Sequence, residues 1–313
     1  MKRFALWLLG WTYALLKRTP LIHLPLGKWI YYRVYAWCRP RELTEIAVLG
    51  HRLWLDPSDR GVASFLLTRG CYEPFQVSVV QRLLAPGDCF LDLGANLGYY
   101  TVIAAQAVGA QGRVVAFEPD PQNLQLLQRN VEVNSYRNRV MIQPCAIGAE
   151  SGTCQLFQSV DNLGDHQILA RGNDQRQAID VPLRTLDQVI EPGTTVDLIK
   201  MDIQGAEFLA WAGMSRLLSS HPNLALLIEF WPEGIRRCGH EPAELVNAIY
   251  EQQFVAYLID EQRERLLPIS QQDLLRRCQA TRQCNLVLAR GTRAQQVADL
   301  TADRTLRGRI HER

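Results

Sequence analysis

The sequence predicts an α/β protein built on a doubly wound, mostly parallel sheet with helices on both faces. Three observations carry that prediction. Apolar strand patterns alternate with helical ones from residue 89 onward, the arrangement that right-handed βαβ units produce. One apolar strand, Cys89 to Leu93, runs into a glycine-punctuated turn that opens a helix, Gly94-Ala95-Asn96-Leu97-Gly98-Tyr99-Tyr100-Thr101. Such a corner presents a small ligand at the carboxyl edge of the sheet. A second apolar strand, Val114 to Phe117, ends on Glu118, twenty residues past Gly98, where an acid commonly takes the hydroxyls of a ribose.

The elements follow in order. Thr44 to Leu55 reads as a short strand or hairpin region, and residues 57–85 as mostly helical up to the Pro86-Gly87 turn. Strand 89–93 leads into helix 97–108, strand 113–118 into helix 121–133, and strand 139–143 into a break near Gly148. Polar sequence at 150–182 interrupts the alternation and reads as a hairpin with a long loop. Strand 196–201 resumes it, followed by helix 205–219, strand 224–230 and helix 241–252. Strands 254–259 and 284–289 close the pattern around residues 260–283. The division expected is an amino-terminal segment 1–60, a catalytic domain 61–290, and a polar tail 291–313 that is either a loose helix or disordered.

With 313 residues, 47% of them hydrophobic and 21% charged, the chain can bury a large core without disulfides. Its eight cysteines form no Cys-x-x-Cys pair, so a reduced cytoplasmic setting is expected and a metal site is not. The net charge of +2 is unevenly placed. Residues 1–41 hold eight Lys or Arg, no acid, four of the seven tryptophans and four of the ten tyrosines, which leaves the remainder at −6. Aromatic rings interleaved with cations favour the headgroup region of an anionic leaflet. The apolar run Phe4 to Leu16 is thirteen residues long, too short to span a bilayer. Two readings stay open for this segment: peripheral contact at the inner face of the membrane, or a helical cap packed on the enzyme. Nucleic acid is not expected as a partner, because the acidic body carries no basic stripe.

The turn argues against a dinucleotide. Asn96 stands where the nicotinamide fingerprint needs the glycine that lets backbone amides close on a pyrophosphate. Asp92 would repel a pyrophosphate but suits an ammonium. S-adenosyl-L-methionine has an ammonium-bearing tail, a ribose for Glu118 and no phosphate, and is the expected cofactor.

A second cluster is Val196-Asp197-Leu198-Ile199-Lys200-Met201-Asp202-Ile203-Gln204-Gly205-Ala206-Glu207. Lys200 and Asp202 are two apart on a strand and share a face. Only four lysines accompany 30 arginines, and Lys200 is the one lysine beyond the amino-terminal segment. Glu207 opens the next helix, and Glu229 emerges from the apolar strand Leu226-Leu227-Ile228. Asp202 or Glu229 is a candidate general base, with Lys200 or Glu207 orienting the base or the acceptor. Glu229 has an alternative as the ion-pair partner of Arg236 or Arg237. His166 is a candidate in the 150–182 loop.

These residues together resemble the FkbM-type family of S-adenosylmethionine-dependent methyltransferases over roughly residues 61–290. The resemblance rests on Gly70-Cys71-Tyr72-Glu73-Pro74, Pro86-Gly87-Asp88, the stretch Leu91 to Thr101, Phe117-Glu118-Pro119, Ala146-Ile147-Gly148, Leu186-Asp187 and Ile199 to Glu207. It implies a class I methyltransferase fold, Rossmann-like, with a seven-stranded sheet whose last strand is antiparallel. It implies that Asp92, Gly94, Asn96, Gly98 and Tyr100 serve the cofactor site, Glu118 the ribose, and Cys145 and Ala146 the adenine. The reaction implied is O-methylation of a hydroxyl on a sugar, glycolipid or other natural product. The alternatives are a non-catalytic cofactor-binding scaffold at a membrane and an NAD(P)-dependent oxidoreductase; the latter is weakened by Asn96 and by the lack of a Tyr-x-x-x-Lys pair.

Overall fold

A computed structural model describes residues 6, 8–10, 12, 25–168, 176–279 and 283–302. The run Phe4 to Leu16 lies mostly outside the described residues, as do positions 169–175 of the predicted loop, 280–282 and the end of the tail. The chain divides into two compact units.

The first unit comprises residues up to Tyr72 together with 159–165. It contains helix α1 (Pro25–Cys38), the antiparallel hairpin β1 (Thr44–Val48) and β2 (His51–Leu55), and helix α2 (Val62–Arg69). Tyr35 and Cys38, on one face of α1, are buried against Leu67 of α2, and the Tyr35 hydroxyl donates to the Pro57 carbonyl at 3.0 Å. Asp59 binds segment 159–165 by accepting the Leu163 N–H at 3.0 Å, while it also accepts the N–H groups of Gly61 and Ala63.

The second unit holds Glu73–Gln158 and the residues from His166. In chain order it runs α3 (Pro74–Leu83), β3 (Cys89–Leu93), α4 (Tyr99–Ala107), β4 (Arg113–Phe117), α5 (Pro121–Val133), β5 (Val140–Gln143), β6 (Ala146–Ile147), β7 (Gly152–Phe157) and β8 (Ala178–Arg184). It continues with α6 (Leu186–Val189), β9 (Leu198–Met201), α7 (Glu207–Ala212), α8 (Ser215–Ser220), β10 (Ala225–Phe230), α9 (Pro232–Arg237) and α10 (Pro242–Glu251). It ends with β11 (Val255–Asp260), β12 (Arg265–Ile269), α11 (Gln271–Arg277), β13 (Cys284–Ala289) and α12 (Thr292–Ala302).

The main sheet has the order β12-β11-β13-β10-β9-β3-β4-β5. Strands β5, β4, β3, β9 and β10 are parallel, and β13 inserts antiparallel between β10 and β11. This is the predicted α/β architecture with an antiparallel last strand, but it has eight strands where seven were expected. The eighth is β12, which pairs antiparallel with β11 at the sheet edge. Pro268 sits in it opposite Tyr257. A proline lacks the N–H a central strand would need, so it argues against a strand and is tolerated only at an edge.

Other departures have equally local causes. The helix expected over 205–219 is two, α7 and α8, with Gly213 between them packed against the Gly148 carbonyl, where a Cβ would come within 2.1 Å. The polar stretch after Gly291 folds as α12 through residue 302, with Val297 and Leu300 buried. Its Arg293 is 9% exposed and donates to Asp88 and Asp197, each at 2.8 Å. That clamp makes a core residue of a cation. The hairpin expected in 150–182 is β7 against β8, joined by β6 into a separate three-stranded sheet.

Candidate active site

The strand β3 is fully buried, and Asp92 at its fourth position is 1% exposed. Asp92 accepts the Thr101 hydroxyl on Oδ2 at 2.6 Å, while its Oδ1 is buried without a hydrogen bond. Burial pushes its carboxyl above the ordinary value, and the nearby Lys200 charge pulls it back. Gly94 follows with φ of +79°, and a Cβ there would meet the Asp202 carbonyl at 2.1 Å. Only glycine allows β9 to approach this closely.

The turn is tied to the end of β4. The N–H groups of Gly94 and Ala95 donate to the Phe117 carbonyl at 3.0 and 2.9 Å. Asn96, held at φ of +52°, donates its N–H to Glu118 Oε2 at 2.7 Å, and the other carboxyl oxygen accepts the Asp120 N–H at 2.9 Å. Glu118 stands at the end of β4 and braces the loop through these two hydrogen bonds. Burial pushes its carboxyl up to about 7, against the pull of those two N–H groups. Gly98 caps α4 in the left-handed region. Cys145 packs into the main core and Ala146 beside Leu156 and Val181.

The neighbouring strands bring the second cluster to the same carboxyl edge. Lys200 pairs in register with Asp92 across β3 and β9. Its Nζ lies 3.1 Å from Asp202 Oδ2 and 4.8 Å from the centroid of the Tyr100 ring. Burial alone would lower its pKa, but Asp202, Asp92 and Glu73 outweigh burial and hold it above the ordinary lysine value. The ammonium is thus a fixed cation. Gln204, at φ of +54°, donates its Nε2 to Asp202 at 2.9 Å and to Glu229 at 3.0 Å. Burial, with the charges of Asp202, Glu207 and Glu73, raises Glu229 well above an ordinary carboxyl. Neither arginine considered as its partner takes that role: Arg237 pairs with Glu233 and Arg236 with the Cys278 carbonyl.

Glu207 lies apart from this contact chain. Its Oε1 accepts the N–H groups of Ile203 and Gly205, each at 3.2 Å, and its Oε2 is buried without a hydrogen bond. Burial pushes it to about 7. His166 stands 3.7 Å from Asp120, the residue that caps α5, rather than at the acid cluster.

One member was missed in the sequence. Glu73 caps α3 at φ of +45°, an uncommon conformation for a residue that is not glycine. Its carboxylate accepts the Tyr100 hydroxyl at 2.9 Å, the Gln76 amide at 2.5 Å and the Asn285 amide at 3.3 Å. Burial, then the Asp202 charge, pushes it to about 7, against the pull of Lys200. The available signal was Glu73-Pro74 within the resembling motif. Tyr100, expected at the cofactor, thus links Glu73 to Lys200.

The family model for the methyltransferase FkbM domain matches residues 92–268. The chain is 26% identical over 185 residues to methyltransferase sdnD of Sordaria araneosa, covering 48% of this chain and 70% of that protein. It is also 26% identical over 153 residues to methyltransferase 1 of Beauveria bassiana, covering 41% of this chain and 59% of that protein. A SAM-dependent methyltransferase from Aquifex aeolicus superposes with a TM-score of 0.40 at 15% identity, over 72% of this chain and 92% of the other.

Proposed function

Since the chain belongs to the FkbM methyltransferase family and its cofactor is S-adenosyl-L-methionine, we propose that it methylates a hydroxyl on a small-molecule acceptor such as a sugar, glycolipid or natural product. The residues present fit the cofactor. Asp92 Oδ1 is a buried acceptor with no internal partner, as an ammonium ligand must be before binding. In this reading Asp92, Gly94, Asn96 and Gly98 hold the methionine part, Glu118 the ribose, and the segment at Cys145 and Ala146 the adenine. The bound cofactor supplies a methyl group on a sulfonium, ready for in-line displacement.

The observation that carries the O-methyl reading is the Asp202–Gln204–Glu229 chain beside Lys200 at the ends of β9 and β10. A hydroxyl becomes a better nucleophile as its proton leaves, and a positioned base contributes a rate factor of roughly 10²–10⁴. Asp202 accepts that proton on a carboxylate oxygen. Glu229, which burial and the neighbouring carboxylates raise well above its ordinary value, stands beside Asp202 through Gln204 and helps fix the acceptor's position. Lys200 holds Asp202 in place. The net charge of −6 beyond residue 41 favours a small acceptor over nucleic acid.

The experiment is transfer of labelled methyl from the cofactor to panels of hydroxylated, amine and carboxylate acceptors. A product whose label resists alkali and lacks an N-methyl signature supports an ether. Label found only on amines, or released by alkali as from an ester, overturns the hydroxyl acceptor.

A further inference from the structure

Helix α1 has two different sides. Tyr35 and Cys38, each 1% exposed, anchor one side within the first unit. Trp29, Ile30, Val34 and Trp37 stand on the other, at 59, 48, 37 and 72% exposure. At a helical repeat of 3.6 residues, these positions and Arg33 fall on one continuous face. The Arg33 guanidinium lies 5.5 Å from the Trp29 ring centroid, so the cation sits among the aromatics. Two tryptophans in one exposed apolar stripe are more than the scattered apolar residues of an ordinary surface.

Charge settles what the stripe meets. The first 41 residues contain eight Lys or Arg and no acid, with Arg33, Arg39 and Arg41 in or just beyond α1. Tryptophan prefers the boundary between hydrocarbon and headgroups, and arginine beside it prefers an anionic leaflet. The fourteen residues of α1 cannot cross a bilayer, and among the described residues no helix is long and apolar enough to do so. A short helix with one apolar aromatic stripe and cations lies in the plane of the surface.

We propose that the Trp29–Ile30–Arg33–Val34–Trp37 face of α1 is a docking surface for an anionic lipid bilayer. The stripe inserts its rings at headgroup depth while Tyr35 and Cys38 keep the helix fixed to its unit. Docking of this kind is peripheral and reversible, and salt weakens it. It needs no step of the transfer chemistry.

The test uses the full-length chain and flotation with vesicles of phosphatidylcholine, with and without phosphatidylglycerol. We expect anionic vesicles to retain at least about tenfold more protein than neutral ones, and the Trp29→Gln/Trp37→Gln variant to lose about tenfold of that partitioning. Arg33→Gln should weaken the salt-sensitive part. Unchanged cofactor affinity by calorimetry would show that the variants are folded, because none of these residues belongs to the active site. Equal partitioning of the wild type and the double variant overturns the proposal. So does absence of vesicle binding, whether or not the wild type self-associates through this face in sedimentation.

Discussion

Lys200 Nζ stands 3.1 Å from Asp202 Oδ2, inside a site where carboxyl groups outnumber cations. The lysine sets one positive charge among these carboxyls, and it pulls against the burial and the Asp202 charge that raise Glu73 and Glu229. Asp202→Asn keeps the shape and the Gln204 neighbour but removes the proposed proton acceptor. The expected outcome is a fall in kcat of roughly 10²–10⁴ with cofactor affinity unchanged. Near-normal turnover of this variant would remove Asp202 as the base.

Glu73 predicts a pH signature. Its carboxyl lies at about 7, so it changes charge across the neutral range while bonded to Tyr100. Glu73→Gln leaves an acceptor oxygen for the tyrosine and removes the ionisation. The limb of the kcat/KM profile near pH 7 should shift or flatten, whereas a purely structural role would lower activity equally at every pH. Glu73→Ala should be worse than Glu73→Gln, because it also strips partners from Gln76, Tyr100 and Asn285.

Glu118 braces the loop and, in the proposed reading, takes the ribose. Glu118→Ala unpairs the N–H groups of Asn96 and Asp120 as well as removing the proposed ribose acceptor. Cofactor affinity should fall by about 10- to 100-fold, the range expected for hydrogen bonds to a charged group. Calorimetry with S-adenosylhomocysteine checks it, and an unchanged Kd would place the ribose elsewhere.

How much of this was legible depended on whether a residue's role was set nearby or at a distance. The main-sheet strands were readable because each is a short apolar run bounded by turn residues, and 89–93 and 284–289 match residue for residue. Lys200 and Asp202 could be placed together because two residues on one strand share a face. Glu73 could not, since a helix cap and its contact with Asn285 are tertiary events. Nor could β12, where Pro268 disguises an edge strand, or α12, where an arginine plays the part of a core residue. The cation–carboxylate clamp is invisible to any pattern that counts arginine as surface.

That clamp predicts a stability effect far from the chemistry. The Arg293 side chain, 11% exposed, joins Asp88 before β3 to Asp197 before β9 and also donates to the Leu83 carbonyl. Removing one partner of such a set leaves two carboxylates facing each other. Arg293→Leu should cost about 2–4 kcal/mol in chemical denaturation, somewhat below a fully buried network because both acids retain some water. A loss within experimental error would mean that α12 docks through Val297 and Leu300 alone.

Glu207 gives a prediction whose sign runs opposite to that of most carboxylates. Its folded value of about 7 lies above the ordinary 4.5, so between these pH values the folded chain keeps a proton that the unfolded chain has lost. The stability this group contributes is complete below about 4.5 and declines as pH rises through 7. Glu207→Gln keeps an oxygen for the N–H groups of Ile203 and Gly205 but cannot ionise. Glu73 and Glu118 slope the same way in both proteins, so the difference between wild type and variant isolates Glu207. Between about pH 5 and pH 8 the wild type should lose on the order of 2 kcal/mol more than the variant, measured by denaturant melts at each pH. Parallel pH dependences would show that Glu207 titrates in the fold as it does in water, and that its buried Oε2 has found a partner.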